Sequence, residues 1–164
     1  MDTNVKLFLD LEDTVITTWE EGLLVHTREV RDWIKGLGVT EARIFSFAIW
    51  NAKDSNVFVD NGMKHMLEDA LEVQLLEWLS VEEMMELSKA HTGLRWVDRM
   101  DFMQLRGKHG AFFDVCKGRE RDCKCILLDD AVPHETLHVH HRNLELELKP
   151  VQQLVGKPWT NFAP

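Results

Sequence analysis

Apolar positions fall into short runs separated by charged turns, and the first run, Val5 Lys6 Leu7 Phe8 Leu9, stops on Asp10. A matching run far downstream, Cys125 Ile126 Leu127 Leu128, stops on Asp129 and Asp130. Both predict buried strands, because brief and nearly continuous apolar stretches suit strands covered on both faces. Between them, Arg43 Ile44 Phe45 Ser46 Phe47 Ala48 Ile49 is rich in β-formers and predicts another core strand. After Val15, the stretch Ile16 to Trp19, then Glu20 Glu21 Gly22, then Leu23 Leu24 Val25, reads as a β-hairpin with the glycine in its turn, a flap beside Asp10.

Helical spacing occupies the intervals. Thr27 is placed to cap a helix from Arg28 to about Lys35 that buries Val30, Trp33, Ile34 and Leu37 and ends at Gly36 or Gly38. Met63, Met66, Leu67, Ala70 and Leu71 recur at helical intervals between Asn61 and Glu72. Ser80 with Glu83 makes a capping box for a helix to about Ala90, closed near Gly93. A further helix is expected from His109 to Lys117, stopped by Gly118. This alternation predicts an α/β fold, a three-layer Rossmann-like domain with a mainly parallel central sheet. With 164 residues, 45% of them hydrophobic, the chain is expected to bury one core as a single domain, residues 1–164.

The acids at the strand ends carry the chemistry. Parallel strands side by side would gather Asp10, Glu12, Asp129 and Asp130 at one sheet edge, where open α/β sheets bind ligands. Like charges so crowded are costly unless a cation joins them. Mg²⁺ fits that role, since it takes a few carboxylates and completes its shell with water and phosphate.

A formal net charge of −9 argues against nonspecific nucleic-acid binding, which rests on clustered Lys and Arg. No apolar stretch reaches the length of a membrane span, and no basic segment with a long apolar follow-on opens the chain, so a cytoplasmic protein without membrane association is expected. Cys116, Cys123 and Cys125 match no common zinc module and read as reduced thiols.

The order of motifs resembles the haloacid dehalogenase superfamily of phosphatases and phosphotransferases. There an apolar strand leads into Asp-x-Asp-x-Thr, and Asp10, Glu12 and Thr14 occupy those positions. Ser46 fits the Ser or Thr that ends a second strand, Lys108 before Phe112 and Phe113 fits the motif lysine, and Asp129 with Asp130 fits the paired acids after a last strand. Lys89, Lys117 and Lys124 compete for the lysine role; Lys108 is preferred because a full helix and then a strand follow it. The resemblance spans roughly residues 5 to 132.

It implies a small or capless member, since the interval between Asp10 and Ser46 must already hold the hairpin and a helix. Residues 51 to 97 fit either a small insertion or further core helices. It also implies an aspartyl-phosphate on Asp10, with Mg²⁺ held by Asp10, a backbone carbonyl at Glu12, Asp129 and Asp130. Lys108 and Ser46 would hold the phosphoryl oxygens, and Glu12 would act as general acid and base. The family normally has Asp at that second position. Glu adds a methylene, and displacements of about 1 Å can lower a rate on the order of 10²-fold. Trp19, near the expected flap tip, is a candidate to cover a substrate base or ring. The expected substrate is a phosphorylated small molecule or nucleotide, favoured by the acidic balance, or a nucleic-acid end, permitted by an open site.

Two other readings stand beside this one. A catalytically degenerate member would act as a binding or regulatory module, with Glu12 as the sign of decay. His134 Glu135 Thr136 Leu137 His138 matches the HExxH pattern of zinc proteases, although the alternation that follows, through Leu144 Glu145 Leu146 Glu147 Leu148, suits strands better than the helix that motif needs. Acids after strands also occur as plain turns. The segment Gly156 to Trp159 reads as a tail held by its Trp.

Overall fold

The computed structural model describes residues 4–132 and 143–156, and the backbone of 138–141. Strands β1 (Asn4–Leu9), β2 (Glu41–Ile44), β3 (Gln74–Leu75), β4 (Cys123–Asp129) and β6 (Leu144–Pro150) are mutually parallel, and β5 (His138–His141) lies antiparallel against β6. Their order in the one sheet is β3-β2-β1-β4-β6-β5. Helices α1 (Thr27–Leu37), α2 (Ala52–Asp60), α3 (Met63–Leu71) and α7 (Gln152–Val155) cover one face; α4 (Val81–Thr92), α5 (Arg99–Leu105) and α6 (Gly107–Arg119) cover the other. The result is a three-layer, Rossmann-like α/β sandwich.

Strand side chains alternate between the two faces. Leu7 and Leu9 join Ile44, Ile126 and Leu128 under α1 and α3, whereas Phe8 joins Phe45, Leu127 and Leu146 under α4 and α6. Phe8, Phe45 and Phe112 meet edge to face, with Phe8 and Phe112 centroids 5.3 Å apart, and so lock α6 across β1 and β2. A second clamp holds the start of α6. Arg106 donates from Nε and Nη2 to the two oxygens of buried Asp114, at 2.7 and 2.5 Å, and the Ser88 hydroxyl of α4 donates to the same carboxylate.

The order of the strands defines the functional edge. The chain runs outward from β1 through β2 to β3, then returns to place β4 on the other side of β1. The switch point, and the crevice it opens, therefore lies between the C-terminal ends of β1 and β4.

Several local expectations differ. β2 stops at Ile44, well short of Ile49, because Ser46 turns the chain by accepting the Ala48 N–H at 3.0 Å, and Asn51 then caps α2 by accepting from Asp54 N. Thr27 is the first residue of α1, and the cap position belongs to His26 in a left-handed conformation (φ 58°). Gly38, also left-handed, ends that helix as expected. Gly118 lies inside α6, which runs to Arg119 and gives way where Glu120 turns extended. The capping box of Ser80 and Glu83 is present in both directions. Residues 51–97 contribute α2 and α3 to one layer and α4 to the other.

Between Val15 and Val25 the described backbone forms no pair of strands. One antiparallel bridge, Ile16 to Leu24, joins the arms, with Thr17 N donating to Leu23 O and Val25 N to Val15 O. Val15 and Ile16 are fully buried, so the near arm belongs to the core. His138 begins the extended β5, and residues 134–137 of the HExxH match lie outside the described residues, as do 157–159 of the expected tail.

Candidate active site

Asp10 and Asp129 meet because β1 and β4 are in register, Leu9 opposite Leu128, with Asp10 N donating to Leu128 O at 3.0 Å. Both carboxylates are nearly inaccessible, 3% and 0% exposed. After Leu11 the chain turns tightly, and the amides of Thr14, Val15 and Ile16 all point at Leu11 O. That turn brings the Thr14 hydroxyl back onto Asp10 Oδ2, 3.2 Å away. Asp130 follows Asp129 and donates its amide to Asp129 Oδ1 at 2.9 Å, while its carbonyl accepts from Gln152 Nε2 at 2.7 Å.

Opposite these acids stands the first turn of α6. Lys108 Nζ lies 3.0 Å from Asp10 Oδ1 and 2.9 Å from Asp129 Oδ1, and His109 Nε2 lies 2.8 Å from Asp129 Oδ2. The competing lysines are elsewhere: Lys124 pairs with Glu145 and Glu147, Lys117 sits over the Phe113 ring, and Lys89 is in the last turn of α4.

The electrostatics follow from burial and crowding. Burial pushes the Asp10 carboxyl well above its usual range; Lys108 opposes this, and the nearby Asp129 and Asp130 add to it. Burial likewise pushes Asp130 up to about 6, reinforced by its hydrogen bond to Asp129 and that group's charge. Burial would raise Asp129 too, but the His109 hydrogen bond and the Lys108 charge outweigh it and hold that carboxyl far below the usual range. Burial works against the Lys108 ammonium, yet Asp10 and Asp129 together keep it firmly protonated. One cation thus serves three carboxylates.

Asp10, Asp129 and Asp130 each offer an oxygen, and these atoms lie within 4.8 Å of one another. An all-carboxylate group of this size suits a hard divalent cation that keeps part of its water. The carboxylate of Glu12 is outside this group: its Oε2 accepts the Trp19 backbone N–H at 2.9 Å. Trp19 itself is half-buried, stacked on Phe58 with centroids 6.3 Å apart and planes 15° from parallel. Ser46 is buried just beyond β2, one strand over from Asp10, and its Oγ accepts from the Ala48 amide.

His109 is a site residue that no periodicity in the sequence marks. Its only signal is position, a second polar side chain beside Lys108 in the same helical turn. Cavities of about 810 and 850 Å³ open elsewhere, the first between Arg43, Trp78 and Arg119 and the second around Asn4, Gly38 and Thr40, so the acid cluster is singled out by its chemistry and not by volume. Among the described residues no helix is long and apolar enough to cross a membrane. In comparisons with protein-family models, curated proteins and solved structures, the chain finds no match.

Proposed function

We propose that the protein is a Mg²⁺-dependent phosphatase that hydrolyses a phosphomonoester through an aspartyl-phosphate on Asp10. The observation that carries this reading is Lys108 Nζ held between Asp10 and Asp129, at 3.0 and 2.9 Å, at the switch point of a parallel sheet. A buried carboxylate with a fixed hydrogen-bond partner in Thr14 and a cation beside it is arranged as a nucleophile toward an electrophile that arrives with negative charge.

In this reading an Asp10 oxygen attacks phosphorus as the bond to the leaving oxygen breaks. Glu12 delivers the proton to that oxygen and then takes one from the water that frees Asp10 and inorganic phosphate. Asp10, Asp129 and Asp130, with a backbone carbonyl at Glu12, would hold Mg²⁺, which supplies charge neutralisation for the meeting of two anions. Lys108 and Ser46 bind the phosphoryl oxygens. His109 orients Asp129. Trp19 forms part of the wall near the site through its tie to Glu12, and the segment 16–25 serves as the flap. Because α2, α3 and α4 are layers of the sandwich, the protein is read as capless, with an open site. The net charge of −9 favours a phosphorylated metabolite or nucleotide over a nucleic-acid end as substrate.

The test is hydrolysis of an aryl phosphate with and without Mg²⁺, beside Asp10→Asn and Glu12→Asp. Mg²⁺-dependent turnover that vanishes in Asp10→Asn is expected; turnover that persists in Asp10→Asn overturns the mechanism. One observation favours a second reading, a binding or regulatory module on the same fold: the Glu12 carboxylate is already engaged by the Trp19 amide. That reading predicts no turnover in the wild type, a gain in Glu12→Asp, and a rise in melting temperature with Mg²⁺ and beryllium fluoride.

A further inference from the structure

At the opposite end of β4 from the acid cluster, two thiols and a carboxylate converge. We propose that Cys123, Cys125 and Glu120 form a binding site for a thiophilic divalent cation, of which zinc, with water as its fourth ligand, fits best. The proposal is independent of the phosphatase reading and uses none of its residues.

Local structure explains the convergence. Cys123 and Cys125 are two apart on β4, so both thiols point to the same face of the sheet, into the layer beneath α6. Cys116 comes down from the last turns of α6 onto that face. The connection is short, and Asp122 in a left-handed conformation (φ 55°) folds it so that Glu120 returns over the start of the strand. All three cysteines are free and buried.

The distances suit four-coordinate zinc. Two sulfurs bound tetrahedrally at about 2.3 Å from one ion lie about 3.8 Å apart, and Cys123 Sγ is 3.9 Å from Cys125 Sγ. Paired thiols alone can reach that spacing; a carboxylate oxygen brought to the same point is what they do not require. Sulfurs of Cys123 and Cys125 and an oxygen of Glu120 lie within 4.8 Å of one another. A hydrogen bond with Cys116 draws the Cys125 thiol below its usual range, while burial pushes Cys123 up to about 12. Lys6 Nζ donates to Glu120 Oε2 at 2.6 Å, the outer hydrogen bond that orients a ligating carboxylate. Glu120 also lines a cavity of about 400 Å³ with His91, Asp122 and Leu144, which gives an ion a route in from solvent. Binding would exchange two S–H bonds for two metal–sulfur bonds, with the protons leaving to solvent and no change of oxidation state.

Cobalt titration of the reduced full chain tests this, because sulfur ligation produces a sulfur-to-cobalt charge-transfer absorption that carboxylates do not. Expected are one equivalent of Co²⁺ with that band, displacement by Zn²⁺, a clearly weaker band in Cys125→Ser, and at least about tenfold weaker binding in Glu120→Gln. No band in the wild type overturns the site, as does a band unchanged in Cys125→Ser. Should Cys125→Ser fail to fold, Glu120→Gln decides, since Glu120 lies at the rim: wild-type affinity in that variant removes the carboxylate and the proposal with it.

Discussion

Lys108 Nζ stands 3.0 Å from Asp10 Oδ1, and that contact joins the first turn of α6 to the end of β1. Each partner is placed by a separate device. Asp10 is carried by strand register, and Lys108 by the Phe8–Phe112 ring contact together with the Arg106–Asp114 clamp at the start of its helix. Two rigid elements therefore meet at one ion pair, which is how a site acquires fixed geometry without depending on a loop.

Replacing Lys108 with Met would leave Asp10, Asp129 and Asp130 facing one another with no ammonium among them. Removing one partner of a buried pair typically costs about 3–5 kcal/mol, and Lys108→Met is expected to lose stability of that order in metal-free urea denaturation. Adding Asp10→Asn to Lys108→Met should restore part of the loss, because it removes one of the charges left without a partner. A Lys108→Met protein as stable as the wild type would mean that the ammonium does not hold the cluster together.

The same cluster sets a pH dependence. Asp130, pushed up to about 6, and Asp10, raised as well, hold protons in the folded protein that their unfolded counterparts release near pH 4. Their contribution to stability is thus present at low pH and is lost as pH rises through the folded value, about 6 for Asp130. Asp129 has the opposite sign and matters only as pH falls below about 4, where the unfolded carboxyl takes up its proton. A cation bound by these oxygens competes with the protons, so its affinity should weaken roughly tenfold per pH unit below 6 for each proton displaced. Thermal melting with and without Mg²⁺ at pH 5 and pH 7.5 checks this: the rise on adding Mg²⁺ should be clearly larger at pH 7.5. An equal rise at both values would place the ion elsewhere.

The parts of the site legible in the sequence are those written as one-dimensional contrast. An apolar run that halts on a carboxylate marks Asp10 and Asp129, and chain order alone picks Lys108 from four lysines, because the crossover from β3 must supply the helix that faces β1. Ser80 with Glu83 is legible for the same reason, since the two partners are only three positions apart. What stayed hidden depends on contacts between distant segments. His109 acquires meaning only beside Asp129, twenty positions away. The segment after Val15 reads as two equal hairpin arms in sequence, whereas in the fold one bridge joins the arms, Ile16 is buried completely and Leu23 is 60% exposed, so the two arms serve different purposes. The β-formers that continue to Ile49 predict a longer β2, but its register against β1 ends at Leu9, and past that point Ser46 and Asn51 redirect the chain with side-chain hydrogen bonds.

Glu12 and Trp19 give the last test, because here the longer side chain has a visible consequence. Glu12 Oε2 accepts the Trp19 amide at 2.9 Å, and the Trp19 ring in turn stacks on Phe58 of α2, so the carboxylate ties segment 16–25 to the start of the site. Shortening the side chain in Glu12→Asp withdraws the acceptor by one methylene and should break that bond. Hydrogen bonds to charged groups contribute about 1.5–3 kcal/mol, so local opening at Trp19 should become at least about tenfold more frequent, with a smaller effect on global stability because Val15 and Ile16 remain buried. Hydrogen exchange at the Trp19 amide, measured beside aryl phosphate hydrolysis in the same variant, separates two roles. Faster exchange with faster hydrolysis would mean that the tie holds an acid back from the chemistry, whereas faster exchange with slower hydrolysis would mean that it presents Glu12 and the flap in working position. Unchanged exchange would show that Glu12 does not anchor the segment at all.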